Sequence, residues 1–505
     1  MPPQLASVLF VAGIAGLFWL DRDTSVRTSK ALWLPVLWLV IASTGSISFW
    51  LGMGPPMEVA GQIPESSLLD QLIAAFLMLL AVIVLVRRGK EVTSLLKASW
   101  PITLYFSFCL ISLAWSDFPA WGFKRWVRAL GDLVMVLIIA TDAQPIAALK
   151  RLIMRLGFVL LPVSVLWIRY YPSLGQGWDE YGFRTFQGVT SNKNALGNLV
   201  YLVGLGALWQ ILTFVRDKEN PDRRRHLLAQ GTLVAVGINL LYTAQCATGT
   251  ACFILGTGLM LALSLPLFRR STAAVHALVL TFALVGGVGY LLGAKAAVTE
   301  ALGRKPDFTG RTAIWQIVIP MAPNPIGGAG FETFWVGPRV AEVARKVNGF
   351  SMTNEAHNGY IETYLNLGVL GLGFIALLFG QGYLKAGSLF RRDPALGGLM
   401  IAYFVTAVTF NVTEAGFRML SLEWFFLLLS IVAVNRANLP DATPEPGPEP
   451  IVPVRPRWAT PMSPDPVPMG AGVKTGLSRD AIATRSQRKE PPATQFLVGD
   501  KKTRT

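Results

Sequence analysis

Apolar runs close to the length of a bilayer crossing recur from the first residues of this chain to about position 435. About thirteen can be marked, at roughly 4–20, 31–50, 68–86, 100–115, 125–141, 152–168, 194–215, 228–245, 249–268, 276–295, 359–384, 396–413 and 420–435. A hydrocarbon core takes about 20 helical residues to cross. Lipid offers the backbone no hydrogen-bond partner, and the runs lack barrel-like alternation, so helices are the form open to them. With 52% hydrophobic and only 15% charged residues, the chain has too little polar surface to cover a soluble core. The expected fold class is all-α: a polytopic integral membrane protein with about 12–13 transmembrane helices.

The formal charge of +15 would raise the question of nucleic acid in a soluble protein. Here the basic residues sit in short clusters between apolar runs and in the C-terminal tail, and no polar stretch interleaves them with aromatics, so nucleic acid is not an expected partner. Arg22, Arg27 and Lys30 share one side with Arg87, Arg88, Lys90 and Lys97, then Lys150, Arg151 and Arg155. The same side receives Arg216, Lys218 and Arg223 to Arg225, then Arg269 and Arg270, then Lys385, Arg391 and Arg392. The alternation never breaks, which makes that side the cytoplasm and places the N-terminus outside. The run Leu5 to Leu20 has no basic residue ahead of it and reads as the first span rather than a signal peptide. Cys109, Cys246 and Cys252 lie in or at the edges of apolar runs and suggest small hydrophobes, not a disulfide framework.

On this topology residues 1–435 form the membrane domain, and three segments face outward: 116–124, 169–193 and 296–358. The last is the large periplasmic loop of the expected architecture, and long loops of compact proteins are usually functional. Within it, Val340, Val343, Ala344 and Val347 alternate with charge at helical spacing, as in an amphipathic helix on the membrane surface. Beyond residue 435 the chain turns proline-rich and basic, with Thr443-Pro444-Glu445-Pro446-Gly447-Pro448-Glu449-Pro450 at its start. Residues 436–505 are expected to be a disordered cytoplasmic tail.

Chemistry-bearing residues are few on the outer side. Of three histidines, His226 and His276 follow cytoplasmic arginines; His357 alone lies outside, where the long loop re-enters the membrane. A histidine there can be a catalytic base or simply a hydrogen-bonded interface residue. Arg184 and Arg311 stand outside near membrane entry points, where positive charge is normally thinned out. They can snorkel to lipid phosphate, or clamp a diphosphate through paired, charge-assisted hydrogen bonds. Lys193 adds a point charge. Arg125 and Arg128, at the start of the 125–141 run, and Glu332 and Asn358 in the large loop are secondary candidates. Asp179, Glu180, Asp307, Glu332 and Glu355 lack metal-ligand spacing, so neither a metal nor another cofactor is expected. Asp132, four residues after Arg128, reads as its local partner.

Two blocks in the large loop carry a resemblance. Thr309-Gly310-Arg311-Thr312, Trp315 and Asn324-Pro325-Ile326-Gly327-Gly328-Ala329-Gly330-Phe331 resemble the outer loop of the O-antigen ligase and polymerase (Wzy/WaaL-like) superfamily. His357-Asn358-Gly359-Tyr360 and Leu365-Asn366-Leu367-Gly368-Val369-Leu370-Gly371-Leu372 extend the likeness. Thr190 to Gly197 is similar to the family's threonine-histidine-lysine-asparagine signature, with Asn192 where many members carry histidine. Trp115-Ser116-Asp117-Phe118-Pro119, with Lys124 and Arg125, is similar to the subfamily that polymerises exopolysaccharide repeats (ExoQ-like). The resemblance covers roughly positions 100–435.

It implies an inverting, metal-independent glycosyl transfer at the outer face of the bacterial inner membrane. The donor would be a saccharide on undecaprenyl diphosphate and the acceptor another lipid-linked repeat. Arg184 and Arg311 would hold the diphosphate, and His357 would activate or orient the acceptor hydroxyl. Membrane lipids, and a chain-length regulator or export complex, are the further partners it suggests. Two rival readings stand beside this one: a ligase that moves a finished glycan to a different acceptor, and a transporter of lipid-linked sugar. A transporter would place its ionisable groups at the bilayer midplane, whereas here they crowd the outer loops.

Overall fold

The computed structural model describes residues 1–23, 27–51, 67–178, 182–291, 311–346 and 355–439. Each apolar run holds a helix. In chain order these are α1 (Pro3–Leu20), α2 (Trp33–Thr44), α3 (Leu68–Arg87), α4 (Gly89–Ala98), α5 (Trp100–Ile111), α6 (Pro119–Ala140), α7 (Pro145–Tyr170), α8 (Lys193–Arg216) and α9 (Arg223–Ala244). Then come α10 (Ala247–Leu263), α11 (Thr272–Leu291), α12 (Arg311–Val318), α13 (Pro338–Lys346), α14 (Gly359–Arg392), α15 (Pro394–Thr413) and α16 (Leu422–Ala437). The protein is an all-α, polytopic membrane protein. Seven of the helices (α1, α3, α7, α8, α9, α14 and α15) are long and apolar enough to cross a bilayer unaided. The pair formed by α4 and the 100–115 helix would make an eighth, bent by 85°. The large loop at 296–310 and 347–354, with Asp307, Thr309 and Gly310, lies outside the described residues, as do Asp179, Glu180 and the tail from 440 onward.

The centre of the bundle is built from α7, α8, α15 and α16, whose side chains are mostly buried. Small residues let these helices approach: Gly157 meets Val203, Gly206 meets Ile153, and Gly256 meets Leu205 and Thr406. Membrane helices have no hydrophobic drive toward one another in lipid, so close backbone approach and side-chain hydrogen bonds carry the packing. Tyr403 Oη donates to the Leu202 carbonyl at 2.8 Å, and Asn435 Nδ2 to Ser99 Oγ at 2.7 Å. Outward faces stay apolar and bare, with Val8, Leu72, Phe76, Val86 and Ile254 all exposed, as a lipid-facing surface requires.

Contacts tie the linkers that carry the basic clusters into one end of the bundle. Arg151 donates to Thr28 Oγ1 at 2.7 Å, Arg225 to the Trp19 carbonyl at 2.7 Å and Lys385 to the Ala98 carbonyl at 2.9 Å. The described parts of the large loop gather at the other end. Two local expectations change. The apolar face of α13 does not lie open for a membrane: Val343 is fully buried in a small core with Ile314, Val318, Phe334, Trp335, Ala356 and Leu365. Asp132, buried in α6, accepts from Trp38 Nε1 at 2.8 Å and from the Leu420 amide at 2.9 Å, so it anchors the α15–α16 turn.

Candidate active site

Helix α14 breaks nine residues after it begins. Gly368 (φ 64°, ψ −162°) leaves the helical path, which frees backbone groups that lipid could not satisfy. The 324–331 turn fills the gap. Val369 and Leu370 donate their amides to the Pro325 and Ile326 carbonyls at 2.9 and 3.2 Å, while Ala329 and Gly330 donate theirs to Leu365 and Asn366 at 3.0 and 2.9 Å. The contact is so close that a Cβ on Gly328 (φ +66°) would stand 2.3 Å from the Asn366 carbonyl carbon. The glycines of this block therefore serve backbone-on-backbone docking. Its far side is held by the 112–118 segment: Trp115 Nε1 donates to the Gly327 carbonyl at 3.1 Å, and Ser116 Oγ to Thr333 Oγ1 at 2.8 Å. Ser112 Oγ accepts from the Phe331 amide at 2.9 Å, and Arg339 pairs with Asp117.

On this platform the structure assembles a charged network. Arg311, the first residue of α12, reaches the C-terminal end of α15, where it donates to the Thr413 carbonyl and pairs with Glu414 Oε1 at 3.0 Å. A cation at a helix C-terminus meets carbonyls that have no partner within the helix. His357 is held with φ +50°, and its Nδ1 lies 2.7 Å from Glu355 Oε1. The other Glu355 oxygen accepts from Arg418 Nη1 at 2.8 Å. Arg418 Nε in turn lies 3.9 Å from Glu332 Oε2. Burial works to raise Glu355, but His357 and Arg418 outweigh it and hold its carboxyl at about 2. Burial works to lower His357, yet the Glu355 carboxylate beside it raises the ring above its ordinary value, with Arg311 opposing and Glu414 assisting. Arg418 stays charged despite burial because Glu332, Glu362 and Glu355 surround it.

The Asn358 side chain acts as the N-cap of α14. Its Oδ1 accepts from the Tyr360 and Ile361 amides, both at 3.0 Å, and its Nδ2 donates to the Val412 carbonyl at 2.8 Å. Gly359 lies against Asn411, where a Cβ would fall 2.0 Å from the amide oxygen. Asn192, the departure from the family signature, caps α8 by accepting from the Asn194 and Ala195 amides at 3.0 and 2.9 Å. Asparagine is among the best residues for that position. The N-terminus of α8 then touches that of α10, with Cys246 Sγ 3.7 Å from Asn194 Oδ1 and Gly249 packed on the Gly197 backbone. Thr248 meets Thr413 at 2.9 Å, and Lys193, Arg311 and Glu414 all act electrostatically on Cys246. Three helix N-termini, of α8, α10 and α14, thus converge on the turn after α15; their first turns are capped by Asn192, Cys246 and Asn358, and each brings a positive dipole end.

The candidates named from sequence separate accordingly. Arg311, His357, Lys193, Glu332 and Asn358 come together. Arg125 joins them by donating to the Glu332 backbone carbonyl. Arg128 sits apart with Asp70, Trp38 and Leu420 on a cavity of about 240 Å³ between α2, α3 and α6. Arg184 is exposed on a two-stranded hairpin, β1 (Gln176–Trp178) with β2 (Arg184–Phe186), opposite Trp178. Among the described residues no hydrogen bond or ion pair joins it to the network. Glu355, Glu414 and Arg418 are central, and none of them stood out from sequence as a site residue. Among the described residues no group of three or more His, Cys, Asp or Glu could hold a metal ion.

Residues 232–376 match the O-antigen ligase family model. The match runs from within α9 to the middle of α14 and takes in Arg311, the 324–331 turn, Glu332, Glu355 and His357. It supports the ligase and polymerase superfamily to which the motifs point, and a multi-pass membrane protein with an activity of that type. No curated protein matches the chain.

Proposed function

We propose that the protein is a membrane glycosyltransferase that joins saccharides carried on undecaprenyl diphosphate. The donor glycan moves to a hydroxyl of a second lipid-linked repeat, as in exopolysaccharide polymerisation. The observation that carries this reading is the meeting of Arg311 and His357 beside three helix N-termini. In the reaction the acceptor oxygen attacks the anomeric carbon, the bond to the diphosphate oxygen breaks, and the diphosphate leaves with the electron pair. A single displacement inverts the anomeric centre. Arg311, Lys193 and the helix N-termini provide fixed positive charge where the leaving group gains negative charge, the kind of pre-set electrostatics that usually contributes most to such rates. His357 takes the proton from the acceptor hydroxyl, and the Glu355 carboxylate, 2.7 Å from Nδ1, raises the ring's proton affinity.

The broken helix does not favour the transporter, because the groups freed at Gly368 are already bonded by residues 325–330. The basic clusters make the opposite end of the bundle cytoplasmic, with the active site outside the inner membrane, the N-terminus outside and the tail inside. A chain-length regulator or export complex would act on the product. The name of the matched family favours the ligase as a second reading. Purified protein incubated with one lipid-linked repeat, with product chain length measured, separates them. Polymer that depends on His357 supports polymerisation; no product until a different glycan acceptor is added supports the ligase; no glycosidic bond with either removes the enzyme reading.

A further inference from the structure

Arg418 lies in the turn between α15 and α16, which joins two apolar helices and whose side chains would ordinarily face solvent. It is instead enclosed by carboxylates: Glu355 at 2.8 Å through Nη1, and Glu332 at 3.9 Å through Nε. Its turn is fixed from the opposite side, since the Leu420 amide donates to buried Asp132 at 2.9 Å and Leu420 is held at φ +59°. Glu332, too, sits in an uncommon backbone conformation, φ +55°, with its carbonyl taken by Arg125. Two residues in the left-handed region, one tied to buried Asp132 and the other to half-buried Arg125, are costly to keep and occur where geometry matters.

We propose that Arg418 is a positioning residue for the transfer reaction, acting through Glu355 to fix the place and proton affinity of the His357 ring. The inference rests on the proposed role of His357 as base. Glu355 divides its two oxygens between Arg418 and His357. Arg418 thereby neutralises a carboxylate that would otherwise hold the imidazolium too strongly, while Glu332 tempers the arginine. Among the described residues, the charged groups facing His357 are Glu355 from its own segment, Arg311 from the start of α12 and Glu414 from the end of α15. Arg418 acts on it through Glu355.

The sign follows from electrostatics. Removing Arg418 leaves Glu355 unopposed, so the ring keeps its proton to higher pH. Removing the Glu332 charge leaves Arg418 to Glu355 and Glu362, so Glu355 is more fully neutralised and the ring loses its proton at lower pH. A nearby charge moves a titration by roughly one pH unit. The test uses full-length protein in detergent, without substrate. Diethylpyrocarbonate attacks only neutral imidazole, so its rate at His357, followed by peptide mass spectrometry across pH, reports the ring directly. Arg418→Gln is expected to raise the midpoint by about one pH unit and Glu332→Gln to lower it. Transfer activity of Arg418→Gln is expected to recover partly at alkaline pH with the donor KM little changed. Midpoints that stay at the wild-type value, or move the same way in both variants, overturn the proposal. If Arg418→Gln fails to reach the membrane, the downward shift in Glu332→Gln decides alone. A His357→Ala protein that still transfers sugar would remove the base reading itself, whatever the midpoints do.

Discussion

Arg311 and Glu414 form an ion pair at 3.0 Å in which the arginine also closes the C-terminal end of α15 through the Thr413 carbonyl. The guanidinium proposed to receive a diphosphate is thus already oriented before substrate arrives, its planar fork spanning a carbonyl and a carboxylate. Lysine offers one point charge and cannot span both. Arg311→Lys and Arg311→Ala are each expected to lower transfer by about ten- to a hundredfold, the loss of a charge-assisted hydrogen bond, with protein still present in the membrane. Assay of purified variants at matched amounts checks this. Lysine at near wild-type rate would leave Arg311 with charge alone as its role.

The plug in α14 yields a stability prediction. Gly328→Ala would place a methyl 2.3 Å from the Asn366 carbonyl carbon at a backbone angle of φ +66° that alanine resists. Backbone strain of this kind costs about 1–3 kcal/mol before the clash is counted. The turn should undock, exposing the free groups at Gly368 and lowering the thermal midpoint in detergent. Gly373→Ala, in the same helix but with nothing near its would-be Cβ, should leave the midpoint unchanged or raise it. Equal midpoints for the two variants would mean that the 324–331 turn does not hold the break closed.

The contrast between those two glycines also marks what can be read from sequence. Helices such as α3 and α15 follow from apolar length, a local property, and each of the apolar runs holds a helix among its described residues. Gly368 was not legible as a break, because Leu367-Gly368-Val369-Leu370 reads as ordinary span; only the distant Pro325–Gly330 backbone makes the break affordable in lipid. Arg311 and His357 were legible through motif and scarcity. Arg418 and Glu414 were not, since the turn holding them is only a few residues long and carries no motif. Two opposite charges between apolar helices, on the side of the large loop, were the available signal. Arg184 stood out as strongly as Arg311 in sequence, yet it lies on an exposed hairpin, because the placement of a short strand pair depends on tertiary packing rather than on residue type.

Orientation can be tested with little background, since Cys109, Cys246 and Cys252 are all buried. An introduced cysteine at exposed Ile326, beside the α14 break, should react in intact cells with a charged, impermeant maleimide. One at exposed Lys218, among the basic clusters, should react only after the membrane is opened. Labelling of the Lys218 position in sealed cells would invert the topology and move the proposed site to the cytoplasmic face.

The pH dependence of transfer follows from the Glu355–His357 contact. His357 is raised above its ordinary value, chiefly because the Glu355 carboxylate overcomes the opposing effect of burial. A base must be unprotonated, so the rate should climb with pH through this raised value and fall away below it. Glu355→Gln removes the carboxylate, so the acid limb should move to lower pH while the maximal rate drops, the ring having lost its orienting partner. His357→Gln and His357→Asn keep a hydrogen-bonding group but cannot take a proton in this range, and a loss of about a hundred- to ten-thousandfold is expected of each. His276→Ala is the fitting control, since that residue is exposed and bonded only to Tyr383 Oη at 2.9 Å among the described contacts. His226 is less suitable: it is buried against Asp21 at 2.9 Å, and its loss would cost stability. Rate–pH curves for the five proteins, at matched membrane levels, decide between chemistry and structure. Near-normal product from the glutamine and asparagine variants would leave His357 as a packing residue at the mouth of α14, and the reaction would need another base.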